Sequence, residues 1–172
     1  MKKSFIIIFS ILATCLFSQV AIGKPSVTNT SVSLEFGAEN RGLLLPWVTS
    51  ATSVTGAVDG TIIYDITVKK AKYLKAGSWF DLTIDTTGTV DTTLQDSLVE
   101  KPNAKAAIGK DAATDTTSGI LVLTDKDKAM ILPKVASPHL NIINPSAGMM
   151  VYDTLAHQLV VFNGTVWSFW KP

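Results

Sequence analysis

Gly148-Met149-Met150-Val151-Tyr152-Asp153, continued by Leu159-Val160-Val161-Phe162-Asn163-Gly164-Thr165-Val166-Trp167, is the stretch that decides the fold. Its short apolar segments are rich in β-branched and aromatic residues, and turn residues separate them. This pattern predicts three short strands joined by two turns. Asn163-Gly164 has the composition of a type I′ hairpin turn.

An earlier copy of the same pattern begins at Gly60-Thr61-Ile62-Ile63-Tyr64-Asp65. Tyr152 follows Tyr64 by 88 residues, and Ile131–Val135 follows Leu44–Val48 by 87. A repeat that keeps its register over about fifty residues indicates duplication of one supersecondary unit. The two copies then pack on each other or on neighbouring chains.

The predicted fold is all-β: two tandem small antiparallel β-meander modules joined by a Thr/Asp-rich insertion. The links between strands are too short for parallel crossovers, and helical periodicity is nearly absent. Val32, Leu34 and Phe36 alternate as on a half-buried strand. The expected modules are residues 31–83 and 118–172, with the insertion at residues 84–117.

Residues 1–23 have the composition of an export signal. Two lysines precede the apolar run Phe5–Phe17, which is too short to span a bilayer comfortably. Ala21-Ile22-Gly23 places small residues where a signal peptidase reads them. We expect cleavage before Lys24, residues 24–30 as a flexible leader, and an exported protein that is extracellular, at the cell surface or periplasmic.

Two alternatives to cleavage before Lys24 remain at the N-terminus. One is an uncleaved N-terminal anchor. The other is lipidation at Cys15, where Thr14 fits a lipobox poorly. Lipidation would make a membrane one of the partners of this protein.

Composition excludes several classes of function. Cys15 is the only cysteine and leaves with the signal, so the remaining chain has no thiol chemistry. Lys and Arg total 15 against 14 Asp and Glu, and no basic patch stands out. A nucleic-acid partner is therefore not expected.

No catalytic, cofactor or metal motif is apparent. His139 and His157 are the only histidines, and neither has a nucleophile or carboxylate pattern beside it. The aspartates are spread through turns without a calcium-loop spacing. We predict no enzyme activity, no cofactor and no metal.

Three aromatic residues are the candidate contact residues for a ligand or an interface. Trp47 has Lys134 at its equivalent position, and Trp170 has no aromatic counterpart in the other copy. Trp167-Ser168-Phe169-Trp170 places aromatic rings on both faces of the last strand. Trp47, Phe169 and Trp170 are thus candidates for a surface patch, where an exposed ring could stack on a sugar, or for an interface.

The segments Leu43-Leu44-Leu45-Pro46, Gly60–Asp65 and Ala76-Gly77-Ser78-Trp79, with their second copies, resemble a β module of exported Bacteroidota proteins. Related modules occur in tail-fibre-like and other surface proteins. Trp47 and Lys134 stand where that module usually has Arg. The resemblance implies an exported structural or adhesive module and not an enzyme.

The predicted function is therefore a secreted structural or adhesive β-module protein of a cell-surface or extracellular assembly. Unsupported strand edges favour protein partners or self-association, with a homo-oligomer as the hypothesis and a trimer as one form of it. The alternative is a carbohydrate-binding module that uses exposed aromatics, with a glycan as partner.

Overall fold

A computed structural model describes residues 18–101 and 103–170 of the chain. Of the described residues, 34% lie in strands and 7% in helices, which confirms the all-β prediction. Cys15 and the apolar run Phe5–Phe17 lie outside the described residues.

The strands are β1 (Val20–Ile22), β2 (Val32–Phe36), β3 (Leu43–Leu44), β4 (Trp47–Val48), β5 (Ile62–Asp65), β6 (Lys70–Lys75), β7 (Ser78–Asp81), β8 (Ala106–Ile108), β9 (Leu121–Leu123), β10 (Ala129–Ile131), β11 (Lys134–Val135), β12 (Met149–Asp153), β13 (Gln158–Phe162) and β14 (Trp167–Trp170). The helices are a 3-10 helix at Ala51–Ser53, α1 (Thr93–Asp96) and α2 (Pro138–Asn141).

The two predicted meanders are confirmed. Strands β5, β6 and β7 form the first antiparallel meander, and β12, β13 and β14 form the second. A short parallel strand extends each of them: β4 beside β5, and β11 beside β12. The sequence did not predict these parallel pairs. The loops from β4 to β5 and from β11 to β12 are long enough to make the crossover that parallel pairing needs.

A separate sheet has the order β1-β2-β10, with β2 pairing parallel to both neighbours. The prediction of a half-buried β2 is wrong, because Ser33 and Glu35 on its polar face are also buried. Polar partners make that burial possible. Ser33 Oγ donates to Asp125 Oδ2 at 3.4 Å, and Lys24 Nζ lies 2.6 Å from Glu35 Oε1.

The segment before β2 is attached to Glu35. Thr28 donates from its backbone nitrogen to Oε2 at 2.6 Å and from its hydroxyl to Oε1 at 2.7 Å. These bonds and the Lys24 ammonium lower the pKa of Glu35 to about 2, with the Lys24 hydrogen bond as the largest cause. Flexibility of residues 24–30 stays a prediction, and these contacts act against it.

Acid is expected to release this segment. Because the folded-state pKa of Glu35 is depressed, its contribution to stability is complete above about 4.5 and is lost as the pH falls towards about 2. The amide resonance of Thr28, followed by NMR, should shift with a midpoint near the lower value. In Glu35→Gln that transition should vanish. A midpoint near 4.5 in the native chain would contradict the pairing.

The two copies pack together and share one core. Leu45, Tyr64 and Ala71 of the first copy contact Ala147, Met150 and Val161 of the second. Strand β3 also crosses between copies and pairs antiparallel with β12. The copies are therefore parts of one body, and neither buries its apolar face alone.

The Thr/Asp-rich insertion owes its composition to a repeated local turn. In each of its three Asp-Thr-Thr sequences, the second Thr donates its backbone nitrogen and hydroxyl to the Asp carboxylate. These bonds lower the pKa of the Asp85 and Asp91 carboxyls, and at Asp115 they add to a hydrogen bond from Lys105 that is the largest cause of the lowered pKa. The turns begin at Asp85, Asp91 and Asp115.

The prediction of a type I′ turn at Asn163-Gly164 is wrong. A type I′ turn needs positive φ at two adjacent residues, and Ala76-Gly77 of the first copy has them, at 49° and 70°. In the second copy the loop between β13 and β14 is longer. There Asn163 Oδ1 accepts hydrogen bonds from the backbone nitrogens of Thr165 and Val166, so the side chain closes the loop.

Candidate oligomerisation surface

The repeated Tyr-Asp pair forms part of the frame of each meander. Asp153 Oδ1 accepts hydrogen bonds from the backbone nitrogens of Ser137, Leu155 and Ala156 at 2.8–3.2 Å. Burial raises the pKa of Asp153, but these donors outweigh it, and the pKa falls below its ordinary value. Asp65 binds the nitrogens of Ala51, Thr67 and Val68 in the same manner. The carboxylates therefore fasten loops to strands.

The other candidate chemical groups are dispersed. His139 and His157 are both exposed, on α2 and in the turn between β12 and β13. Across residues 18–101 and 103–170, no group of three or more His, Cys, Asp or Glu side chains is arranged to hold a metal ion. In the same residues, no helix has the length and apolar character needed to cross a membrane.

A shallow hollow lies beside β2. It is lined by Lys24, Glu35, Phe36, Gly37, Ala38 and Lys134. None of the three predicted contact aromatics lines it. The hollow therefore gives no support to the sugar-stacking alternative.

The three predicted aromatics are placed in two different settings. Trp47 is half-buried between the copies, and its indole N–H donates to Ala147 O at 2.7 Å. Phe169 and Trp170 lie on β14 with 42% and 45% of their surface exposed. Phe169 is opposite Val160 and Trp170 is opposite Leu159, so the rings point to opposite faces of the sheet. Phe169 and Trp170 are therefore neighbours on one edge strand that face opposite ways, and Trp47 lies at the junction of the two copies.

Helix α2 packs beside β14 and extends its apolar surface. The His139 ring meets the Phe169 ring edge-on, with centroids 5.9 Å apart. Leu140 is 74% exposed and Ile143, just after α2, is 85% exposed. We call Leu140, Ile143 and Phe169 the α2–β14 surface, and Trp170 lies on the opposite face of the same strand. Among the described residues, no strand pairs with the outer edge of β14.

The first copy carries charges where the second carries this surface. Strand register places Asp81 and Lys72 at the positions equivalent to Phe169 and Val160. Asp81 lies 2.6 Å from Lys70 Nζ and 2.5 Å from Lys72 Nζ. Burial raises the pKa of Asp81, yet the two lysines bring it below its ordinary value.

This contrast between the copies is the signal that sequence reasoning missed. The single-residue shift of the repeat in the β6–β7 turn region obscures that Asp81 and Phe169 are equivalent. An offset of 88, read from the pairing of β13 with β14 and of β6 with β7, aligns them. An exposed apolar edge of this kind is typical of an interaction site, whereas the ion-paired edge of the first copy is not.

Comparison with known families adds one finding. Residues 100–171 match the family model described as phage tail like trimerisation region. The match covers less than half of the chain and includes the whole second meander and the α2–β14 surface. No match was found among curated proteins or solved structures.

This similarity fits a tail-fibre-like β module and supports self-association and a structural role. The matched part contains the copy with the apolar edge and leaves out the copy with the ion pairs. The narrower resemblance to a duplicated module of exported Bacteroidota proteins stays a prediction.

Proposed function

We propose that this protein is a homotrimeric structural component of an exported, fibre-like assembly at the cell surface or outside the cell. The observation that carries the proposal is the α2–β14 surface, which lies within the region similar to a trimerisation model. The first copy would act as a supporting module that stays outside the contact.

The physical driving force is burial of apolar side chains at an open sheet edge. Phe169 is paired in register with Val160 of a buried apolar cluster and is itself exposed, as is Leu140 on α2. A symmetric contact between three chains would cover these side chains, and removal of apolar area from water favours that contact. The unpaired edge of β14 offers backbone groups to a neighbouring strand as well.

The first copy shows how the same fold avoids such a contact. Lys70, Lys72 and Asp81 form an ion-paired edge, and charged side chains on edge strands oppose sheet-to-sheet association. Each chain would therefore have one edge strand that associates with other chains, β14, and one whose charges oppose association, β7.

Transfer of the charge pattern from the first copy to the second tests the proposal. Gln158→Lys with Phe169→Asp recreates the arrangement of Lys70 and Asp81 on β13 and β14. The native chain should run as a trimer in light scattering at micromolar concentration, and the double variant as a monomer with unchanged circular dichroism. The physical reason is that each protomer would have to desolvate a new ion pair to associate.

The control, Lys70→Ala with Asp81→Ser, removes the equivalent charges from the first copy without adding an apolar ring, and it should leave the trimer intact because β7 lies outside the proposed contact. A monomeric native chain, or a double variant that stays trimeric, would overturn the assignment of this surface. Trp170→Ser, at the end of the same strand, should weaken the trimer without abolishing it.

An adhesive role belongs to the proposal as its finer part. Adhesion would use surfaces that the trimer leaves exposed, with proteins or a glycan as the bound partner. Glycan-array binding by the native chain that disappears in Trp170→Ser, with the trimer preserved, would favour the carbohydrate-binding alternative.

A further inference from the structure

We propose that the export signal ends at Ser18 and that the mature chain begins at Gln19, five residues before the site that the small residues Ala21 and Gly23 suggest. The inference rests on the predicted export signal and is independent of the trimer proposal. Its basis is that residues 19–23 belong to the folded body.

Strand β1 is an integral part of the β1-β2-β10 sheet. It pairs parallel to β2, with Val20 opposite Leu34 and Ile22 opposite Phe36. Beyond the strand, Gly37 donates its backbone nitrogen to Ile22 O at 2.7 Å. Cleavage before Lys24 would remove the whole of β1 and expose the edge of β2.

Gln19 fixes the loop that leads into β2. Its side-chain Nε2 lies 2.6 Å from Val32 O, 3.1 Å from Thr30 O and 3.2 Å from Asn29 O. A carboxamide has only two N–H donors, so the three carbonyls share them. These hydrogen bonds can form in the mature protein only if Gln19 remains in the chain after cleavage.

The backbone at Gly23 packs closely against the backbone at Gly37. A Cβ placed on Gly37 would lie 2.2 Å from Gly23 O. Only glycine allows that approach, so position 37 matches a chain in which residue 23 is present and packed.

The repeat gives independent support. Strand β8 lies within the predicted insertion of residues 84–117, yet it pairs parallel to β9 of the second copy, with Ala106 opposite Leu121, just as β1 pairs with β2 in the first. Strand β8 begins 86 residues after β1, close to the spacing of the other repeated elements. The opening strand is therefore a conventional part of the duplicated unit, and β1 belongs to the first copy.

The sequence before β1 suits a cut at this place. The apolar run ends at Phe17, and Ser18 supplies the small side chain that a signal peptidase accepts next to the cut, while Leu16 replaces the second small residue that Ala21 provides for the later cut. Hydrolysis of the Ser18–Gln19 peptide bond by one water leaves a carboxylate on Ser18 and a free amino group on Gln19.

The test is the N-terminus of the exported protein. The full chain is expressed with its own signal in a Gram-negative host, and the exported fraction is analysed by intact mass and N-terminal peptide sequencing. We expect a chain that starts at Gln19, with or without loss of ammonia by cyclisation. A start at Lys24, lipidation at Cys15 or an uncut chain would overturn the inference.

Two variants separate the competing sites. Ser18→Leu should accumulate uncut precursor, whereas Gly23→Asn should be processed as the native chain is. Asn tolerates the positive φ of 73° at this position and is too large for the residue before a cut. The opposite pattern would place the cut before Lys24.

A second measurement does not depend on the peptidase. Chains starting at Gln19 and at Lys24 are produced without a signal and unfolded in urea at equal concentration. The longer chain should unfold at a higher urea concentration because it retains β1 and the Gln19 bonds. Equal midpoints would count against a structural role for residues 19–23.

Discussion

Tyr64→Ala is expected to lower the free energy of unfolding by about 3–5 kcal/mol, the usual cost of removing a large buried aromatic side chain. The Tyr64 ring has no exposed surface and lies in the core that the two copies share. Its hydroxyl donates to Asn163 O at 2.8 Å, which fastens the first meander to the end of the second. Burial raises the pKa of Tyr64 to about 12, so the neutral donor persists at ordinary pH. Urea unfolding at fixed chain concentration measures the change.

Two further variants identify the source of that loss. Tyr152→Ala makes the same change at the equivalent position of the second copy, where the ring is only half-buried, and should cost clearly less. Tyr64→Phe keeps the ring and removes the bond to Asn163 O, at a cost of about 1–3 kcal/mol for a carbonyl left without its donor. Equal losses in Tyr64→Ala and Tyr152→Ala would contradict the asymmetric packing of the copies.

That asymmetry marks the limit of sequence reasoning for this chain. Turn residues and β-branched runs are local, so they predicted the two meanders and their strand order. The residues Tyr64 and Tyr152 occupy the same position in a repeat, and nothing local says which of them faces the other copy. The answer depends on how the copies dock, through β3 on β12 and through Trp47 on Ala147.

The same reasoning explains the other differences. Strand β1 lies next to the apolar run of the predicted signal, and only its partner β2 identifies it as a strand. Trp47 has a polar counterpart in Lys134 and therefore resembled a surface residue, yet it fills the junction between copies. Phe169 and Trp170 could be recognised as exposed aromatics of an edge strand. Their contrast with Asp81 required the strand register.

Gly148→Ala is expected to destabilise the protein by about 2–5 kcal/mol. Position 148 has a φ of +79°, and a residue with a Cβ pays about 1–2 kcal/mol for that conformation. The added Cβ would also lie 2.9 Å from both Cβ and Cγ of Tyr64. These atoms belong to a fully buried side chain and cannot move away, so overpacking adds about 1–3 kcal/mol. Urea unfolding again measures the change.

Gly60→Ala is the matched control, because Gly60 holds the equivalent position in the first copy with a φ of +91° and nothing within 4 Å of an added Cβ. It should cost only the conformational part, about 1–2 kcal/mol. The difference between the two variants then isolates the close approach of the second copy to Tyr64. If both cost the same, Gly148 would serve only its turn, and the junction would tolerate a methyl group. A larger cost at Gly148 would mean that docking of the copies, and not the turn alone, requires this glycine.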